Sequence, residues 1–262
     1  MSVLDDILSR KAEEVASLRR DHSEASLLRA VRDADQPRGF RKALQQGEAP
    51  RVIAEFKRAS PSKGEIRPGA SPPEVVSRYQ ACGAAALSVL TDREFFAGAL
   101  DDLRQARAST RLPVLRKDFT IDPIQLLEGR AAGADAALLI VAALEDNVLA
   151  ELHSTGLEIG LDVLIEVHNR NELERALALE PELLGINNRD LRSFVTDVGT
   201  TRELLPLISG ASGPLVVSES GLDDPAVVKA LLADGVDAFL VGEALMREPD
   251  PGEALEHLRG TR

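Results

Sequence analysis

The chain has 262 residues, 44% of them hydrophobic and 28% charged, with 43 acidic against 31 basic side chains and a net charge of −12. That length suits a single α/β barrel of roughly 250 residues. The acidic balance argues against nucleic acid or an anionic membrane as partner, while an anionic small molecule can still bind where cations cluster. Cys82 is the only cysteine, which excludes an intrachain disulfide and a thiolate metal cluster.

Residues 1–45 come before any strand pattern. The opening MSVLDDILSRKAEEV is charged from residue 5 and lacks the apolar core of a signal peptide. The longest apolar run, Ala136 to Leu144, is far short of the roughly 20 residues that a membrane span needs. A cytoplasmic protein is expected. Leu4, Ile7, Leu8, Val15 and Leu18 recur at helical spacing, and Ser26–Val31 continues the pattern. One or two helices are predicted, forming an N-terminal extension over 1–45 that packs on the rest or lids it. The remainder, 46–262, is predicted to be the barrel, and the whole chain one structural domain.

From residue 51, short Leu- or Val-rich runs recur over 51–57, 85–90, 113–117, 135–141, 161–167, 183–187, 214–219 and 237–242. Their starts lie about 27 residues apart on average, which suits a strand, a loop and a crossover helix. Amphipathic segments fill the gaps, among them 72–82, 122–132, 144–155, 171–180 and 224–234. Pro72, Pro73, Pro123 and Pro225 fall in their first turns, where a missing N–H costs least. ACGAAALSVL (81–90), AAGADAALLI (131–140) and LADGVDAFLV (232–241) share one plan, and Gly83, Gly133 and Gly235 suit helix ends with positive φ. Eight such units predict a closed (β/α)8 barrel rather than a doubly wound sheet.

In that fold the active site lies at the C-terminal ends of the strands. The stretch RVIAEFKRASPSKG (51–64) puts Ile53, Glu55 and Lys57 on one face of the first strand and then breaks into a turn. Other strands end in Lys117 and Asp118, in Glu166 and His168, in Asn187, Asn188 and Arg189, and in Glu219 and Ser220. One such residue is ordinarily a solvated loop side chain; five strands ending so predict a mouth of candidate acids and bases. The turns Ser218-Glu219-Ser220-Gly221 and Val241-Gly242-Glu243-Ala244 follow the last two strands, where barrels commonly hold phosphate on backbone N–H groups. The four histidines are dispersed without H-x-H or H-E-x-x-H spacing, and no G-x-G-x-x-G follows the first strand. Neither metal nor cofactor is expected. The 58–70 segment, rich in Pro, Gly, Ser and Lys, is expected to close over a substrate.

Taken in order, IAEFKRASPSKG (53–64), PVLRKDF (113–119), LIEVHN (164–169), GINNRDL (185–191), VVSESG (216–221) and FLVGEALM (239–246) resemble the indole-3-glycerol-phosphate synthase family over nearly the whole chain. The resemblance implies a (β/α)8 barrel that needs no cofactor. It implies conversion of 1-(2-carboxyphenylamino)-1-deoxyribulose 5-phosphate to indole-3-glycerol phosphate, with loss of CO2 and water, in tryptophan biosynthesis. Carried across by motif, Lys117 is the general acid of ring closure and Glu166 the carboxylate beside it. Lys57 and its partner Glu55 serve the later dehydration. Ser60, Phe119, Asn187, Arg189 and Glu219 are expected to bind and orient the substrate, and Ser220, Gly221, Gly242 and the residue-243 backbone to hold its phosphate. Position 243 is Glu243 where some relatives carry Ser, so a contact that needs a hydroxyl would be weakened. Read from the residues alone, two alternatives stay open: another phosphate-binding barrel, such as an isomerase or a Schiff-base aldolase using Lys57 or Lys117, and a non-catalytic barrel that binds a phosphorylated ligand. A monomer and a weak homodimer are both compatible with the sequence.

Overall fold

The computed structural model describes residues 3–190, 194–208 and 213–261. Its eight barrel strands are β1 Arg51–Phe56, β2 Ala86–Leu90, β3 Val114–Lys117, β4 Ala136–Ile140, β5 Asp162–Val167, β6 Leu183–Asn187, β7 Leu215–Glu219 and β8 Ala238–Val241. Each agrees with the predicted run to within one residue at either end. All pairs are parallel, and β1 joins both β2 and β8, so the sheet closes into the predicted barrel. Strands alternate with helices. Among these helices are Pro72–Ala81, Pro123–Ala131, Asp146–Glu158, Arg170–Leu177, Pro225–Asp234 and the short Glu243–Met246 turn after β8. Gly83, Gly133 and Gly235 all have positive φ, as expected.

Period-two alternation sorts each strand between two apolar environments. Outward residues such as Val52, Ala54, Leu87, Val163, Ile165 and Phe239 pack under the helices. Inward residues such as Ile53, Ala86, Leu115, Leu138, Leu164, Val217 and Leu240 fill the barrel interior. The same parity carries the inward face of β1 to Glu55, of β3 to Lys117, of β5 to Glu166, of β6 to Asn187 and of β7 to Glu219.

Before the barrel the chain forms three helices: α1 Val3–Asp21, α2 Glu24–Asp33 and α3 Phe40–Gln46. The extension therefore has one helix more than predicted, and α3 runs across residue 45. Phe40 and Leu44 are fully buried in the interior cluster, each worth about 2–3 kcal/mol relative to exposure. The Arg38 and Arg41 N–H groups donate to Asp135 and Asp162 at the strand starts, so α3 plugs the barrel at the end opposite the mouth. At the mouth end, Lys11 of α1 is buried between Asp118 (2.8 Å) and Asp92 (3.1 Å). Burial disfavours its charge, but those carboxylates outweigh burial and hold the ammonium well above the usual lysine range.

Candidate active site

Glu55 is buried at the mouth, 2.9 Å from Lys57 Nζ, and its other oxygen accepts from Ser88 Oγ at 3.2 Å. Across the barrel, Lys117 Nζ lies 2.7 Å from Glu166 Oε2 and 3.2 Å from Glu219 Oε2. Asn187 Nδ2 donates to the second Glu166 oxygen at 3.1 Å. Three strands thus deliver one ammonium between two buried carboxylates. Burial opposes the Lys117 charge, yet Glu166 and Glu219 keep it well above the usual lysine range. Burial also disfavours charge on the carboxyls. For Glu166 this is overcome by Lys117 and by His168, which hold it well below the usual range. Glu219 is pushed up to about 8, chiefly by burial and by repulsion from Glu166, with Lys117 opposing. Burial and the nearby Glu166 charge thus favour the neutral form of Glu219, and Lys117 and His168 favour the ionised form of Glu166.

Two adjoining cavities share Glu55, Lys57, Arg189, Ser220 and Leu240. The smaller one, ≈ 110 Å³, adds Ser60, Lys117, Glu166, Asn187 and Glu219 to an apolar wall of Leu90, Phe96, Phe119, Leu138 and Ile140. The Phe96 and Phe119 rings are 6.2 Å apart. That wall suits a flat aromatic group held over the charged cluster. The other cavity, ≈ 270 Å³, is bounded by Lys63, Gly221, Gly242, Glu243 and Arg247. Each residue expected to act on or hold the substrate lines one cavity or both, whereas His168 and Asn188, also expected at the mouth, line neither.

Local backbone geometry shapes the second cavity. Ser220 and Gly221 both have positive φ, 68° and 72°. The turn aims Ser220 Oγ at Asn187 Oδ1, 2.8 Å away. A Cβ on Gly242 would sit 2.4 Å from Glu55 Oε1, and one on Gly185 would sit 2.3 Å from Glu219 Oε1, so both glycines leave room for site carboxylates. The Glu243 carboxylate points among Arg247 (2.9 Å), Arg189 (3.3 Å) and Lys63 (3.7 Å). Arg189 also donates to Ser62 and Thr196, which places it at the seam between the cavities. The 58–70 segment is tied at both ends: Arg58 pairs with Asp102, and Arg67 donates to the Glu248 and Pro249 carbonyls. Between them Ala59–Ser60 and Gly64–Glu65 form a two-residue antiparallel ladder.

Two strand-end residues expected at the mouth turn away from it. The Asp118 carboxylate meets Lys11, Thr91 and Arg116, and Asn188 bonds Ser218, Ser220 and Thr201. Both follow an inward residue, so alternation turns their side chains outward. The expectations did not include Lys63, Arg247 or the aromatic Phe96. In a chain with only seven Phe, the pair Phe95-Phe96 in a loop was the available signal. Among the described residues no group of three or more His, Cys, Asp or Glu could hold a metal ion, and no helix is long and apolar enough to cross a membrane.

Comparison with known proteins gives three findings. The family model described as indole-3-glycerol phosphate synthase matches residues 4–258. A protein of Bordetella pertussis named indole-3-glycerol phosphate synthase is 51% identical over 260 residues, covering 98% of each chain. A solved structure of thiamine phosphate pyrophosphorylase from Pyrococcus furiosus superposes with a TM-score of 0.60 at 20% identity, covering 84% of this chain and 96% of that one, a likeness of fold alone.

Proposed function

This chain belongs to the indole-3-glycerol phosphate synthase family, and we propose that it converts 1-(2-carboxyphenylamino)-1-deoxyribulose 5-phosphate to indole-3-glycerol phosphate with the residues of the two cavities. The observation that carries this reading is the charged Lys117 between Glu166 and Glu219, under an aromatic wall and beside a cation-rich cavity.

The aromatic ring takes the Phe96–Phe119 side, and the phosphate takes the turns at Ser220-Gly221 and Gly242-Glu243. The ring carbon that bears the carboxylate attacks the C2′ carbonyl. The carbonyl π electrons move to oxygen, which takes a proton from Lys117. Glu219, 3.2 Å from Lys117 Nζ and holding a proton up to about pH 8, resupplies it. CO2 then leaves, and its bonding electron pair restores the aromatic ring. In the last step the hydroxyl departs as water on a proton from Lys57, and Glu55 removes the proton from C1′. The 2.9 Å Glu55–Lys57 contact supports an acid and a base acting as one pair. The cationic state of Lys117 favours proton donation over the neutral amine that an imine-forming aldolase needs.

We place the protein in the cytoplasm, serving tryptophan biosynthesis. The test is to supply the authentic carboxyphenylamino-deoxyribulose phosphate to the folded protein and follow indole fluorescence. A steady rise is expected; no signal would overturn the assignment.

A further inference from the structure

His168 lies one strand repeat beyond Glu166, on the same face, and its side chain is 6% exposed. Its ring stands between two carboxylates, with Nε2 3.3 Å from Glu166 Oε1 and Nδ1 3.0 Å from Glu172 Oε2. Glu172 is fixed in place: Oε2 also accepts the His168 backbone N–H at 2.8 Å, and Oε1 accepts Asn169 Nδ2 at 2.6 Å. A neutral imidazole carries one N–H and would turn a lone pair towards one of the two carboxylates. Nδ1 is hydrogen-bonded to Glu172, whereas Nε2 has no hydrogen-bond partner and meets Glu166 only at ion-pair distance, so the two contacts are attractive together only for the imidazolium.

The arrangement breaks a symmetry in the acid cluster. Lys117 stands 2.7 Å from Glu166 and 3.2 Å from Glu219, so by itself it does little to choose which carboxyl is ionised. Glu166 has a second cation in His168, as well as the Asn187 amide. Among the described residues Glu219 meets Lys117 and no further cation at ion-pair distance. We propose that His168 is a positioning residue, held as an imidazolium between Glu166 and Glu172, which keeps Glu166 the ionised member of the Glu166–Glu219 pair and leaves the proton on Glu219. The inference rests on the assignment of ring-closure chemistry to Lys117 and its two carboxylates. Facing the ring are Glu166 of β5 and Glu172 of the Arg170–Leu177 helix. Behind Glu166 stand Lys117 of β3, Asn187 of β6 and Glu219 of β7. Burial lowers the imidazolium's stability, but the two carboxylates beside the ring outweigh burial and carry the ring pKa up to about 10.

The direct test needs no substrate, so it can fail separately from the assignment of the reaction. The full chain is labelled with [15N]histidine and its ring nitrogens are followed by NMR from pH 6 to 11. The His168→Gln variant identifies the His168 signals among the four histidines. Two protonated ring nitrogens at pH 8 are expected. A neutral tautomer at pH 8 would overturn the proposal. Glu172→Gln removes one carboxylate from the ring, and the His168 titration should then fall by about one unit or more; an unchanged titration would remove the bridge from the argument. In His168→Gln, the acid limb of the kcat profile should move about 1–3 units to higher pH, because Glu166 loses an opposite charge. An equal loss of kcat at every pH would show a packing role instead. If His168→Gln does not fold, Glu172→Gln supplies the same comparison, and the loss of one signal in a His22, His153 or His257 variant completes the assignment.

Discussion

Replacing Lys117 by Ala separates ring closure from the steps after it. The variant removes the ammonium 2.7 Å from Glu166 and 3.2 Å from Glu219. Loss of a positioned general acid costs about 10²–10⁴-fold in rate, equivalent to about 2.7–5.5 kcal/mol of barrier. Removing one partner of a fully buried pair can cost about 3–5 kcal/mol of stability. Here the cost should be smaller, about 1–3 kcal/mol, because Glu166 retains Asn187 and His168 and Glu219 is already protonated below about pH 8. For a chain of this size that corresponds to a fall in Tm of roughly 2–10 °C, with the fold intact by circular dichroism. Two assays run in parallel: release of CO2 and the rise of indole fluorescence. Lys117→Ala should suppress both, since decarboxylation follows ring closure. Lys57→Ala should release CO2 but form indole slowly, since it spares closure and impairs loss of water. If Lys117→Ala released CO2 at the parent rate, Lys117 would not be the acid of ring closure and the assignment of roles would collapse.

Two further outcomes follow from the same geometry. Gly242→Ala places a Cβ 2.4 Å from Glu55 Oε1 and 2.9 Å from Glu55 Cβ, and Ser88 and Lys57 keep that side chain from swinging aside. Steady-state kinetics should show kcat/KM down by about 10²-fold, with KM raised because the cavity proposed to hold the phosphate narrows; unchanged kinetics would show that the cavity is not used. Glu219 is raised from 4.5 to about 8, so the native state holds a proton that the unfolded chain has released. Its contribution to stability is complete below about pH 4.5 and is lost as pH rises through about 8, by up to about 1.4 kcal/mol per pH unit. Glu219→Gln removes that slope, whereas His168, which loses its own contribution between about 6.5 and 10, titrates in both proteins. The gap in denaturation midpoint between variant and parent should widen in favour of Gln from pH 5.5 to 8 and then level off; a constant gap would refute the stored proton on Glu219.

The barrel was legible because each strand repeats a short apolar run, five of the eight end in a polar inward residue, and three are preceded by a glycine at the close of a helix. The acids and bases were legible for the same reason, since alternation from Ile53 reaches Glu55 and alternation from Leu115 reaches Lys117. Asp118 and Asn188 were misplaced by treating whole strand ends as mouth residues, although the same alternation turns them outward. Other features have no local signature. Helix α3 is seven residues long, starts after Gly39 without a side-chain cap, and buries only Phe40 and Leu44, too few positions to establish a period. The pairing of Lys11 with Asp118 spans more than a hundred residues, and no sequence pattern encodes it. Gly185 and Gly242 are needed for the space beside Glu219 and Glu55, which is visible only when those side chains face them.

The charge balance is the part of the sequence that the structure reinterprets most. A chain with a net charge of −12 is a poor candidate for an anionic ligand if its field is averaged over the surface. The site does not average it. Lys63, Arg189 and Arg247 converge on the single carboxylate of Glu243, and the cluster keeps an excess of positive charge even with that group ionised. Glu243 therefore need not repel a phosphate. It holds Lys63, Arg189 and Arg247 together at the cavity wall, which lowers the entropy that an incoming anion would otherwise spend on ordering long side chains. On the proposed assignment, Glu243 would finish the phosphate pocket by assembling guanidinium and ammonium groups around a fixed carboxylate.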